Sequence, residues 1–462
     1  MGLAVQARGL VAALGVALLS GCATNAPQAT AIATPPPAVP APRPTLAPAL
    51  PGPWRITKTE WRQADEDGFG EFLREIAESG CTTTVSCMRS AANFYRDSDP
   101  PSFLFHADCA KWAYMLRAYY ASKNGLPFSY VDRVSGDGAD LRYGATSNLA
   151  LERRDLVDGG TGINTVAELQ TLHDRVWTAT FRMDPAAQAP VAQDFYSPKI
   201  QPGSIRAGTA IYDITGHVMI VYDITADGSI LYMDAHPDET VSRGVYGRHV
   251  PRSPAWLGGG FKNFRPLKLV GAELRPDGTY VGGHIVMAAN DEIADFSLEQ
   301  YRGNVADAQG GDPQFRYNNA SLDLYEYARA AMSNGGFAYN PVYEIEVAMG
   351  SLCRDAQNRT READARVRSG FAALYADLSK ISDQWRQRDR RIVYHGLSLR
   401  ETLAETYAAQ EQACVSDAGR GTREAGNPLA QFVRRSPETD VQRLILQIDD
   451  SVTFTAMQPV GY

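Results

Sequence analysis

Asp108-Cys109-Ala110-Lys111-Trp112-Ala113-Tyr114-Met115-Leu116-Arg117-Ala118-Tyr119-Tyr120 reads as an amphipathic helix with a thiol in its first turn. Trp112, Met115, Leu116, Tyr119 and Tyr120 recur at helical spacing, and Gly125-Leu126-Pro127 stops the run. About a hundred residues later Thr215-Gly216-His217-Val218-Met219-Ile220-Val221 reads as a strand with an imidazole at its head. A hairpin turn, Ala226-Asp227-Gly228-Ser229, leads to a second strand that ends in Met233-Asp234-Ala235-His236-Pro237. The positive end of a helix dipole favours a thiolate over a thiol, and the thiolate is the attacking form. A histidine in reach can take the thiol proton and later protonate a leaving group. A third polar residue then holds that imidazole in one tautomer. Cys109 and His217 fill the first two roles. Asp234 is the expected third member, with His236 as its rival. The Cys109 backbone N–H is expected to form part of an oxyanion hole.

The other cysteines support the same choice. The chain has six: Cys22, Cys81, Cys87, Cys109, Cys353 and Cys414. Arg8, the apolar run Gly9 to Leu19 and the small residues Ser20-Gly21 before Cys22 resemble a bacterial lipoprotein signal, which implies lipid on the Cys22 thiol. Export places the chain in an oxidising compartment, where spare thiols pair. Cys81 and Cys87 sit in one short segment and can close a small loop. Cys353 and Cys414 both lie in a helix-like C-terminal region and can join two helices. Cys109 is left over. The alternatives are a Cys109 that pairs elsewhere or is a buried, inert thiol.

Length and composition bound the rest. With 462 residues and 44% hydrophobic content, the chain can build two or three domains with a large core. A net charge of −8 argues against a nucleic-acid binder. Residues 1–21 are the expected signal peptide. Residues 22–53, with Thr34-Pro35-Pro36-Pro37 and further prolines, read as a lipidated cysteine and a stiff extended tether. Folded sequence begins near Trp54. Beyond residue 275 the period changes to helical, with Leu322 to Met332 as one helix and Val367, Phe371, Leu374, Leu378, Ile381 and Trp385 on one face of another.

The segment His106-Ala107-Asp108-Cys109 and its aromatic helix resemble the nucleophile helix of papain-fold bacterial hydrolases. The segment from Pro202-Gly203-Ser204 through Gly216-His217-Val218 is similar to the second motif of the NlpC-type and CHAP-type cell-wall hydrolases. The resemblance covers about residues 100–240. It implies a metal-free, cofactor-free amide hydrolase with Cys109 as nucleophile, His217 as base and Asp234 or His236 third. Gly125-Leu126-Pro127 and the Cys, His, Asp order also resemble transglutaminase-like proteins. Ser204 stands where the cell-wall hydrolases carry aspartate. The long gap between Cys109 and His217 implies an insertion that caps or restricts the cleft.

The expected fold is therefore α+β: a papain-like domain at 54–275, its nucleophile helix packed on an antiparallel sheet, then a mostly α-helical domain at 276–462. The expected function is cleavage of amide bonds, in peptidoglycan peptides or envelope proteins, by a protein lipid-anchored in the cell envelope, at the outer membrane facing the periplasm. The alternatives are a transglutaminase-like protease or cross-linker, and a non-catalytic scaffolding lipoprotein whose helical part docks a protein partner. His217, His236 and Asp234 could also offer zinc nitrogen and oxygen ligands, although no tight metal spacing such as HExxH is present.

Overall fold

The computed structural model describes residues 43–333, apart from Pro51, Pro101, Ser102, Leu104, Thr215, Arg248, His249, Pro251, 306–312 and 318–319. Cys22, Cys353, Cys414, the signal-like segment and the helical expectations beyond 333 lie outside the described residues. No helix among the described residues is long and apolar enough to cross a membrane.

The chain opens with helices α1 (Gln63–Glu78) and α2 (Thr84–Arg89), and then α3 (Cys109–Asn124). A long hairpin follows, β1 (Phe128–Ser135) with β2 (Leu149–Leu156), and then α4 (Thr165–Arg175). The remaining strands are β3 (Phe195–Tyr196), β4 (Ala210–Tyr212), β5 (Val218–Ile224), β6 (Ile230–Ala235), β7 (Val241–Val245) and β8 (Gly260–Phe264). These six form one sheet in the order β3-β8-β4-β5-β6-β7, antiparallel at every pairing. Tight turns make this meander. One turn is closed by Asp213 N–H, which donates to His217 O at 2.8 Å, and by Gly216 N–H, which donates to Asp213 O at 2.9 Å. Gly228, with φ of 82°, closes the next.

Helix α3 departs from its amphipathic reading. All of it except Cys109 and Lys111 is buried. It lies against β5, β6, α1 and α4, and the segment before it adds Tyr95, Phe103 and Phe105 around Tyr119. Arg117, Lys123 and Asn124 are buried with partners. Arg117 donates to both oxygens of Glu66 on α1, at 2.7 and 2.6 Å, and lies 3.4 Å from the centre of the Trp61 ring. Asp108 caps the start by accepting from Lys111 N–H at 3.1 Å. Gly125 ends it in the left-handed region, φ 64°, where an added Cβ would stand 2.1 Å from Thr57 Oγ1.

The expected division into a papain-like domain and a helical domain after residue 275 is overturned. The described part is a mixed α/β fold whose centre is the six-stranded antiparallel sheet, and its β character continues past 275. β9 (Leu267–Val270) pairs with β12 (His284–Met287), and β10 (Glu273–Leu274) with β11 (Tyr280–Val281). After the one-turn helix α5 (Glu299–Arg302), β13 (Phe315–Tyr317) pairs with β14 (Ala320–Leu322) before α6 (Leu324–Met332). These strands are two to four residues long, too short for a period of two to show. Glycines at positive φ, among them Gly271, Gly278, Gly282 and Gly283, punctuate them.

Candidate active site

Cys109 is the first residue of α3, and its side chain is a free, partly exposed thiol. The Cys109 N–H belongs to the first turn, where amides have no partner within the helix. Cys81 and Cys87 are joined by a disulfide. Their segment is tied to β7 by Arg243, which donates to Cys81 O at 2.7 Å and Ala77 O at 2.5 Å.

His217 stands one residue before β5 and is partly exposed. Its Nε2 is 2.5 Å from Asp234 Oδ2, and Cys109 is near enough to its ring to help raise the His217 pKa. Because Asp234 occupies Nε2, Nδ1 is the ring nitrogen left for the sulfur. Asp234, the next-to-last residue of β6, is 4% exposed and has both carboxylate oxygens engaged. Its Oδ1 accepts from the hydroxyl of Ser242, which sits opposite it on β7. A hydroxyl has one proton, so Ser242 Oγ accepts from His236 Nε2–H, 3.1 Å away. The His236 ring stacks on that of His217 with centres 5.5 Å apart. His236 follows β6 directly, two residues after Asp234, and its Nε2 lies 3.8 Å from Asp234 Oδ2. The four groups form a directed relay from His236 through Ser242 to Asp234, with His217 donating to the same carboxylate.

Charge follows from this wiring. Burial pulls the His217 pKa down, but the hydrogen bond to Asp234 and then the influence of Cys109 outweigh it and hold the pKa well above its ordinary value. Burial pushes the Asp234 carboxyl up. The His217 hydrogen bond and charge, then His236 and Ser242, bring it below its usual value. Both directions describe an imidazolium on a carboxylate.

The same three residues, His217, Asp234 and His236, bring possible metal-ligand atoms within 4.8 Å of one another. Two ligands on one tetrahedral zinc stand about 3.3 Å apart, given metal–ligand bonds near 2.0–2.1 Å. The 2.5 Å His217–Asp234 contact is a hydrogen bond instead, and Ser242 occupies the other carboxylate oxygen.

Neighbouring elements complete the frame. His106 Nδ1 meets Glu239 Oε1 at 2.8 Å, which ties the approach to Cys109 to the β6–β7 turn. Glu239 holds that turn at φ 65°, unusual for a residue with a side chain. His106 and Asp108, the polar side chains that precede Cys109, are thus committed to Glu239 and to helix capping. A cavity of about 590 Å³, bordered by Asp99, Phe103, Tyr119, Lys123 and Asn164, touches α3 ten residues or more past Cys109. That is about 15 Å along the helix, and the cavity includes none of the relay residues.

The structure thus brings Cys109, His217, Asp234 and His236 together. Asp234 contacts His217 directly, while His236 stands behind the carboxylate. Ser242 was not anticipated. No alternation in Val241-Ser242-Arg243-Gly244-Val245 marks it, and nothing in that run names a partner for Asp234. Compared with known proteins, the chain matches no family model, no curated protein and no solved structure.

Proposed function

We propose that this protein is a cysteine-nucleophile hydrolase that cuts amide bonds in the cell envelope, with peptidoglycan peptides as substrate and lipid on Cys22 as its anchor. The single observation that carries this reading is a free thiol at a helix start beside His217, whose Nε2 is hydrogen-bonded to a buried and fully engaged Asp234. A relay of this kind has little structural purpose, because a buried charged pair contributes weakly to stability. The lipoprotein-like segment before Cys22 and the extended prolines after it supply the location. Peptidoglycan peptides are the abundant amides within reach of such a tether.

The reaction follows from the wiring. The Cys109 proton passes to His217 Nδ1, and the sulfur attacks the amide carbonyl carbon. A C–S bond forms and the carbonyl oxygen becomes an oxyanion beside the Cys109 N–H. As the C–N bond breaks, imidazolium His217 returns the proton to the departing amine. Water, deprotonated by His217, then attacks the thioester. The acid product leaves, and the sulfur recovers the proton. Asp234 keeps Nε2 protonated throughout, so that Nδ1 faces the reacting sulfur.

The test is incubation of the full chain with purified sacculi, before and after treatment with iodoacetamide. Soluble muropeptides released only by the untreated protein, with new amine and carboxyl ends, are the expected result. Uptake of a labelled amine into protein with no release from sacculi would instead identify a transglutaminase-like cross-linker. No thiol-dependent turnover in either assay would leave a scaffold and contradict the proposal.

A further inference from the structure

We propose that Tyr143 and Trp256 form the substrate walls of the Cys109 cleft, positioned by Arg182, and that they select an acyl group with an apolar side chain next to the scissile amide. This rests on the hydrolase reading above.

The loop that joins β1 to β2, residues 136–148, is built rather than slack. Asn148 is fully buried and donates to Leu141 O at 2.8 Å and to Ala179 O at 2.9 Å. Arg182, 2% exposed, donates to Gly144 O at 2.5 Å and also to Thr146 O. Among the described residues no carboxylate pairs with Arg182. A guanidinium has therefore been taken from water to hold two loop carbonyls, a costly device for a surface loop. Two glycines are required as well. A Cβ on Gly136 would stand 2.0 Å from Asn148 Oδ1, and one on Gly144 2.4 Å from Asp137 O.

The loop so fixed displays Tyr143, 62% exposed, beside the catalytic histidine. The Tyr143 hydroxyl lies 3.7 Å from the Cβ position of Gly216, the residue before His217. On its other side Arg182 lies 5.2 Å from the centre of the Trp256 ring, which is 41% exposed. One buried cation thus orients two exposed aromatic rings. Single exposed rings are ordinary. A pair anchored to one buried guanidinium, with one ring at the active histidine, is a constructed surface. Its character is apolar. The nearby cation Arg142 is neutralised by Asp140, with bonds of 2.9 and 2.6 Å, so it leaves no free charge for an ionic substrate group.

The test uses the full-length, unreduced protein and three thiol reagents: iodoacetamide, N-acetyl-leucine chloromethyl ketone and N-acetyl-glutamate chloromethyl ketone. Modification of Cys109 is followed by mass spectrometry. The leucine reagent is expected to react about tenfold or more faster than the glutamate reagent, the range for an apolar side chain in a fitted pocket. Tyr143→Ala and Trp256→Ala should each erase most of that preference, read as the ratio of the leucine to the glutamate rate with each normalised to the same variant's iodoacetamide rate, and Tyr143→Phe should retain it. A preference that survives both alanine variants, or one that favours the glutamate reagent, overturns the wall assignment alone. A Cys109 inert to all three reagents overturns both it and the hydrolase reading.

Discussion

Asp234→Asn is expected to lower kcat by about 10³–10⁴-fold, the scale seen when the carboxylate that orients a catalytic imidazole is replaced by an amide. Asp234 Oδ2 is 2.5 Å from His217 Nε2, so the wild-type carboxylate fixes the proton there. An amide can present its NH₂ group instead, which moves the proton to Nδ1 and leaves the sulfur facing a donor. The same change removes the largest influence that raises the His217 pKa. The sign is definite. A histidine whose folded pKa lies above its ordinary value adds stability in full below about 6.5, and loses it as pH rises through the folded value. In the proposed reaction imidazolium is also the acid that releases the amine. In the variant, the alkaline limb of the kcat/KM profile should therefore move to lower pH. A pH–rate series for both proteins reads out the two effects together. Unchanged limbs would show that Asp234 does not set the state of His217.

Lys262→Met is expected to stabilise the protein, and more so in acid than in alkali. Lys262 lies on β8 opposite Ala210 and is 2% exposed, and among the described residues its ammonium has no hydrogen-bond or ion-pair partner. Burial lowers its pKa from 10.5 to about 7, with the Asp184 charge opposing and Arg265 adding to the fall. Between pH 7 and 10.5 the unfolded chain carries this proton and the folded one does not, so wild-type stability rises with pH across that window. Below pH 7 the full cost remains, roughly 3–5 kcal/mol at about 1.4 kcal/mol per pH unit. Methionine has nearly the same reach without the charge. Thermal unfolding at pH 6 should move upward by about 5–15 °C, and the gain should shrink towards pH 10. A variant less stable than the wild type at pH 6 would show that the ammonium has a favourable role.

The candidate site is legible in the sequence as far as its residues lie at element ends with local signals. Asp108 is a capping residue before an aromatic run, and Gly216 closes a turn before a strand of five apolar or aromatic residues. Cys109 and His217 stand directly behind those markers. What was hidden depends on distant partners. Ser242 matters only through its register opposite Asp234. The β1–β2 hairpin is split by a loop whose shape depends on Arg182, more than thirty residues downstream. Helix α3 looked amphipathic because Arg117, Lys123 and Asn124 are polar, yet each is buried against a partner. The β character beyond residue 275 was missed because short strands between glycines lack a visible period, while Leu324 to Met332 is helical and suggested that its surroundings were helical too.

The central claim is a reduced Cys109 activated by His217, and the most direct measurement is the rate of Cys109 alkylation by iodoacetamide in unreduced protein at pH 7. The wild type is expected to react about tenfold or more faster than His217→Ala, since the paired imidazole favours the reactive thiolate. Equal rates in the two proteins, or a Cys109 recovered in a disulfide, would contradict the account.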